Sequence, residues 1–480
     1  WLKIYDKPVL YFPRFFHPDP TVKRQSGFLM PTFQNSNNSG TSIQIPYYKV
    51  ISENRDLTFS PRLFFDNEVL VQTEYRQANK NSDLLLDFSI NNDESGFKRH
   101  FFADVFSNKK NKNIHFHLEN VSNDNYLKEE SINSPIIDEY STLHSYLKYN
   151  TFSDTSNLDV SLEVYEDLNK KKSNRYEYIF PNFIYEKDFS KNKTNGSLFL
   201  NMEGYQKNYD SNVDEAILKN DLIYSSFPSS SSRIDGLQTN YKLLLRNINS
   251  NADNSTGFNK GDDYKLLSSL IFESYWPLKK ENNNINQYLT PKISLRYSPN
   301  STKNNTNTNK NITYERIYTL DRVDGMAVEG GESITWGLEY STKNKKNNDI
   351  LNFSFATIYR LDENPDLPKV YGISEERSDF IGDFKYIPSK FFDLNYQFSI
   401  GKNLDSSSYN LIKTNINVNN FVTSFEFLEE DNYLNQNSYL NNTTKLSFDD
   451  NNSIKFGTSK NLDKDITEYY NLIYEYKNDC

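Results

Sequence analysis

The sequence predicts an all-β chain, a large antiparallel transmembrane β-barrel of about two dozen strands. Three observations predict it. Apolar residues recur with a period of two, as at Leu84, Leu86, Phe88 and Ile90, at Ile114, Phe116 and Leu118, and at Leu351, Phe353 and Phe355. Such alternation makes strands with one apolar and one polar face. Aromatics reach 15% while all hydrophobic residues together reach only 36%. That is too little aliphatic material for a soluble core in a chain of 480 residues, yet enough for a wall that needs apolar side chains only at alternate positions on its lipid face. No apolar run reaches the roughly 18 residues of a transmembrane helix, whereas spanning strands of about ten residues remain open.

The 35 Tyr and 34 Phe argue against an Asn/Lys-rich disordered chain. A net charge of −10 argues against a nucleic-acid partner. Five histidines and one cysteine leave little material for a metal or thiol active site.

Taken in order, residues 1–24 are rich in proline and aromatics (Pro8, Pro13, Pro18 and Pro20 among Tyr11, Phe12, Phe15 and Phe16), a short edge strand leading into a turn. Lys23 to Tyr48 reads as two strands joined by an Asn/Ser/Gly turn through Gly40, with Pro31 in one and Pro46 in the other. Proline has no N–H for the ladder, so this hairpin is an edge built to pair poorly on one side and to open. Alternation continues at Val160, Leu162 and Val164, from Phe392 to Ile400, from Phe421 to Phe427 and from Tyr470 to Tyr476. Short turns, as at Gly401-Lys402-Asn403, contrast with long polar loops expected at 249–263 and 300–311. Short connections at one end and long ones at the other fit the two sides of an outer-membrane barrel. Aromatics at expected strand ends, Tyr47-Tyr48, Tyr275-Trp276 and Tyr469-Tyr470, suit interfacial girdles.

Catalytic chemistry finds little footing. His115 and His117 share one strand face and such a pair can bind a metal, but no third ligand is evident nearby, and polar lumen-facing residues are the better reading. Asp262-Asp263 and Glu429-Glu430-Asp431 lack calcium-loop spacing. Glu329-Gly330-Gly331-Glu332 does not lie between a strand and a helix, and no Gly-x-Ser-x-Gly elbow occurs. No enzyme, cofactor or metal is expected.

The run Arg24-Gln25-Ser26-Gly27-Phe28-Leu29-Met30-Pro31, followed by Pro46-Tyr47-Tyr48 and preceded by Pro8-Val9-Leu10-Tyr11-Phe12-Pro13, resembles the start of the barrel in the lipopolysaccharide-assembly proteins of the bacterial outer membrane, the LptD family. Two later segments resemble it too: Tyr288-Leu289-Thr290-Pro291-Lys292-Ile293 with Arg296-Tyr297-Ser298-Pro299, and Tyr318 to Gly325 followed by Ile334-Thr335-Trp336-Gly337-Leu338.

The resemblance implies that residues 1–24 end a periplasmic β-jelly roll and 25–480 form the barrel, its final strands lying beyond Cys480. The chain, starting at Trp1 without a leader, is expected to be a fragment. It implies a translocon in the outer membrane of a Gram-negative bacterium that takes lipopolysaccharide from a periplasmic bridge protein (LptA-type) and inserts it among outer-membrane lipids through a lateral gate between first and last strands. A plug lipoprotein (LptE-type) would sit in the barrel. Ser26, Gly27 and Phe28 would begin the gate strand, with Pro31 and Pro46 weakening the seam, and Lys23 and Arg24 would meet lipid A phosphates. Asp321 and Arg322 would be the paired anchor of a loop folded inward, and Cys480 would join a disulfide to the region near the mature N-terminus. The alternative is a porin or a plugged nutrient transporter; a soluble all-β binding protein is a third reading.

Overall fold

The computed structural model describes Leu2–Ile4, Lys7–Leu10 and residues 24–477 apart from 37–39, 66–67, 94–95, 172–173, 190–194, 210–212, 300–311, 321, 324, 432–435 and 450. Lys23, Asp321 and Cys480 therefore lie outside the described residues. The chain is all-β. Among the described residues from Gly27 to Tyr476, 28 strand segments belong to one antiparallel sheet of the barrel class, and Leu2–Ile4 with Lys7–Leu10 makes a separate two-stranded sheet. No helix among the described residues is long and apolar enough to cross a membrane.

Prolines account for the count. Breaks at Pro31, Pro46, Pro228 and Pro277 each separate two successive segments, so the 28 segments are 24 strands, four of them interrupted where a ladder N–H is missing. One sequence expectation is corrected. The segment 249–263 is not a long loop, because strands Gln238–Asp253 and Gly261–Tyr275 fill most of it. At 16 and 15 residues these strands exceed the roughly 9–11 needed to span a bilayer, so Asn and Asp at their ends need no lipid contact. Tyr469-Tyr470 likewise lies within Ile466–Tyr476 rather than at its end; the expected loop 300–311 is outside the described residues.

By its contacts the chain divides into two units. The first comprises Trp1–Ile184, Gly204–Ala216 and Asn251–Gly261. In it, strands from Arg55–Phe64 to Ser156–Asp167 pair in sequence, each antiparallel to the next. Along Arg55–Phe64 the buried positions include Asp56, Ser60 and Arg62 while Phe59 and Leu63 are exposed. Along Lys112–Val121, His117 and Glu119 are buried while Ile114 and Phe116 are exposed. Polar side chains inside and apolar ones outside reverse the order of a soluble protein, and suit a wall with lipid on its outer face. The connection 122–141 turns back onto the buried face. There Tyr126, Leu127, Ile132 and Ile136 pack on Phe64, Leu70, Phe102 and Leu143.

The second unit comprises Tyr185–Glu203, Ile217–Ser250 and Asp262–Cys480. It shows the same inversion: along Ile285–Ser298, Ser294, Arg296 and Ser298 are buried and Ile293, Leu295 and Tyr297 exposed. Connections 312–330 and 361–379 supply its main apolar cluster, with Ile317, Tyr318 and Val323 meeting Leu367, Val370 and Tyr371 on Ala356, Ile358 and Ile381 of the strands.

Candidate functional site

Two places concentrate the residues singled out in the sequence, one in each unit. The first is the edge hairpin. Each of its expected strands is cut at its proline, giving Gly27–Phe28 and Thr32–Ser36 on one side and Gly40–Gln44 and Tyr47–Ser52 on the other. Gly27 lies opposite Tyr48 and Phe28 opposite Tyr47, whose rings meet edge-on at 5.1 Å. The register changes across the break, from Phe28 opposite Tyr47 to Thr32 opposite Gln44, as a bulge requires.

The two prolines do different work. Leu29 N–H donates to the Pro46 carbonyl at 2.9 Å, and a residue's N–H and C=O point to the same side of an antiparallel strand. The donor missing at Pro46 is therefore the return bond to Leu29. Ile45 N–H donates instead to the Pro61 carbonyl at 3.0 Å, so Pro61, which the sequence reading passed over, withholds the return bond to Ile45. Pairing resumes with Thr32 opposite Gln44, so Pro31 falls in the bulge between the two segments of the first strand. Pro31 interrupts the first strand, and Pro46 and Pro61 each remove a bond from the ladders behind it. Ser26 accepts a bond from Val50 N–H at 2.9 Å, and Arg24 pairs with the buried Asp56 at 2.8 Å. Phe28 and Met30 are 76% and 86% exposed, and Leu29 and Phe33 are exposed as well, so the first strand presents several apolar residues outward.

The second place is the connection 312–330. Arg322 is 1% exposed. Its Nε and Nη2 bond both carboxylate oxygens of Glu329, Nη2 also donates to Ser333 at 2.9 Å, and Nη1 donates to the Ile317 carbonyl and Thr335 hydroxyl, each at 3.0 Å. Wall arginines complete the attachment. Arg360 also bonds Glu329, Arg296 donates to the carbonyls of Thr319 and, at 3.0 Å, Leu320, and Arg246 donates to the Ala327 carbonyl at 2.9 Å while holding Asp221 through two bonds of 2.7 Å. Burial by itself would raise the Glu329 carboxyl, but the charges of Arg322, Arg360 and Arg296 outweigh it and hold it well below the usual carboxylate range. Tyr318 sits under Lys292, whose ammonium lies 4.0 Å from the ring centre, and against Gly337, where a Cβ would overlap the Tyr318 hydroxyl and the Phe355 carbonyl.

Arg322 is thus buried and fully bonded at this connection, and its carboxylate partner among the described residues is Glu329; the expected partner Asp321 is outside them. The sequence reading took Glu329 only as part of a Gly-rich run. The four-residue spacing of a helix or the two-residue spacing of a strand would not connect it to Arg322 seven positions away, or to Arg360 thirty-one away.

In the first unit the connection 122–141 is pinned comparably. The Tyr126 hydroxyl bonds Ser89 at 2.7 Å, Ser89 bonds His100 at 2.5 Å, and His100 lies 3.3 Å from Asp87. Burial pushes the Tyr126 phenol up to about 12. Although Ser, His and Asp follow one another here in the order of a hydrolytic triad, all three are 0% exposed, and the cluster serves to hold Tyr126.

A family model described as "LptD: LPS transport system D" matches residues 102–466. The chain is 32% identical over 133 residues to the LPS-assembly protein LptD of Idiomarina loihiensis, covering 26% of this chain and 17% of that protein. It is 30% identical over 179 residues to that of Pseudoalteromonas translucida, covering 35% and 23%, and 37% identical over 94 residues to that of Pseudomonas entomophila, covering 20% and 10%. These matches span less than a quarter of the relatives' length. Among solved structures, the alcaligin outer-membrane receptor of Bordetella pertussis aligns with a TM-score of 0.30 at 8% identity, over 88% of this chain and 71% of that one, a likeness too slight to carry an argument.

Proposed function

The chain belongs to the LptD family, and on that premise we propose that it forms the barrel wall of an outer-membrane translocon that inserts lipopolysaccharide into the outer leaflet through a lateral gate. The observation that carries this reading is the hairpin edge, apolar and exposed from Phe28 to Met30 and interrupted by Pro31 and Pro46. A lipopolysaccharide leaving sideways keeps its acyl chains in lipid and its sugars on a polar face, so the wall must part. The bonds absent at Pro46 and Pro61 lie within the hairpin, and each loosens the first strand's hold on the wall behind it by roughly 0.5–1.5 kcal/mol. Ser26, Gly27 and Phe28 open the gate strand. Arg24 uses one donor on Asp56 and has others to offer a lipid A phosphate, alongside Lys23.

Residues 1–24 are assigned to the end of the preceding periplasmic jelly roll, a reading supported by the separate sheet of Leu2–Ile4 and Lys7–Leu10. The family also supports a plug lipoprotein within the barrel, a periplasmic bridge protein as donor, the outer membrane of a Gram-negative cell as location, and a disulfide at Cys480. No catalytic step is assigned.

The test is photocrosslinking in cells, in the full-length protein, with the crosslinker at Phe28 and a control at Leu394. An adduct with lipopolysaccharide at Phe28, absent at Leu394 and dependent on cellular ATP, is expected. No adduct at either site, in a barrel that conducts ions or small solutes, replaces the translocon with a pore.

A further inference from the structure

We propose that Asp104, His115 and His117 form a binding site for a divalent transition metal of the zinc class on the buried polar face of the first unit. His115 and His117 are two apart on one strand, so their rings share a face, and the register places Asp104 of the neighbouring strand directly opposite His117. Asp104 Oδ2 lies 2.8 Å from His115 Nε2 and 2.8 Å from His117 Nδ1. One ligand atom from each of the three residues falls within 4.8 Å of the others. Zinc takes imidazole nitrogen and carboxylate oxygen at about 2.0–2.2 Å, which sets tetrahedral ligand atoms about 3.3 Å apart. Side-chain rotations that move the Asp104 oxygen about 0.5 Å away from each ring and draw the two ring nitrogens toward each other would bring all three ligand atoms to that spacing and admit the ion.

The far side of each ring argues for the same use. His117 Nε2 lies 3.1 Å from Glu119, and His115 Nδ1 lies 3.3 Å from the Tyr146 hydroxyl. Neutral rings carrying their protons on those nitrogens aim both remaining lone pairs at Asp104, and a carboxylate behind a histidine is the usual support of a zinc ligand. Glu119 is fixed in turn by His144 N–H at 2.8 Å, and the Tyr146 ring stacks on His117 at 4.9 Å with 7° between planes. The side chains of Asp104 and His115 are 29% and 31% exposed, leaving an approach for the ion and a fourth position for water. Two imidazoles and one carboxylate favour zinc, nickel or copper over magnesium or calcium.

The experiment uses full-length protein in detergent, stripped with chelator and dialysed against Zn2+ or Mg2+. One Zn2+ per chain and no Mg2+ is expected. His115→Gln and His117→Gln should each weaken zinc at least 100-fold and Glu119→Gln about 10–100-fold. His144→Gln, on the same face but bonded to Glu163, should retain it. Co2+ provides a readout without variants: low-coordinate nitrogen and oxygen ligation gives intense visible bands, aqueous six-coordination only weak ones. Absence of those bands, zinc retained in both His115→Gln and His117→Gln, or zinc lost equally in His144→Gln, overturns the site.

Discussion

Arg322 has all five of its N–H donors engaged, two of them on Glu329, which Arg360 also holds. A buried arginine deprived of its counter-charge is far more costly than the pair is valuable, so Glu329→Gln should destabilise the second unit by about 3–5 kcal/mol. Earlier cleavage by trypsin within 312–330 and a lower temperature for the heat-induced shift in gel mobility would register the loss; an unchanged digest would show that the arginines are held without it. The pH dependence follows from the depressed carboxyl of Glu329. Its unfolded value is near 4.3, so the contribution is complete above about pH 5 and is lost as pH falls through the lower folded value. Pepsin should therefore cut 312–330 increasingly as pH drops from about 4 to 2, and a flat profile would contradict it. Arg322 was legible in the sequence because Leu320-Asp321-Arg322 is a motif; Glu329 was not, since no local spacing announces a bond made across a fold.

At the scale of elements, strands were legible wherever apolar and polar residues alternate, and prolines marked their interruptions. The direction each proline faces was not, because it depends on which neighbour a strand pairs with. That direction separates two substitutions that otherwise look alike. Pro46→Ala restores the donor aimed at Leu29, and Pro31→Ala restores one at the bulge between Gly27–Phe28 and Thr32–Ser36. If the seam is the exit, the double variant should slow lipopolysaccharide export, read as less lipopolysaccharide at the cell surface; an unchanged amount counts heavily against the gate. Gly337 belongs to the same scale. A methyl there overlaps the Tyr318 hydroxyl and the neighbouring strand's carbonyl, so Gly337→Ala should loosen 312–330 and expose it to trypsin, at about 1–3 kcal/mol for an overpacked site.

For the whole molecule, the inversion of faces in each unit decides what surrounds it. Phe116→Arg, on an exposed apolar face, should cost about 2–4 kcal/mol if that face meets mid-bilayer lipid, and folding yield into lipid vesicles measures it. A polar exchange at the buried face, such as Ser161→Asn, should cost far less. The sequence by itself determined that the chain is a long series of two-faced strands, that it resembles a lipopolysaccharide-assembly barrel, and that its first hairpin is weakened by proline, since alternation, proline and short motifs are local properties. Only the tertiary structure decided that Asp104 stands across from His117, that Glu329 rather than a neighbour in sequence closes on Arg322 among the described residues, and that Pro46 is turned toward Leu29 and Pro61 toward Ile45. Those pairings depend on strand register and on where long connections return, and both are fixed by packing between residues far apart in the chain.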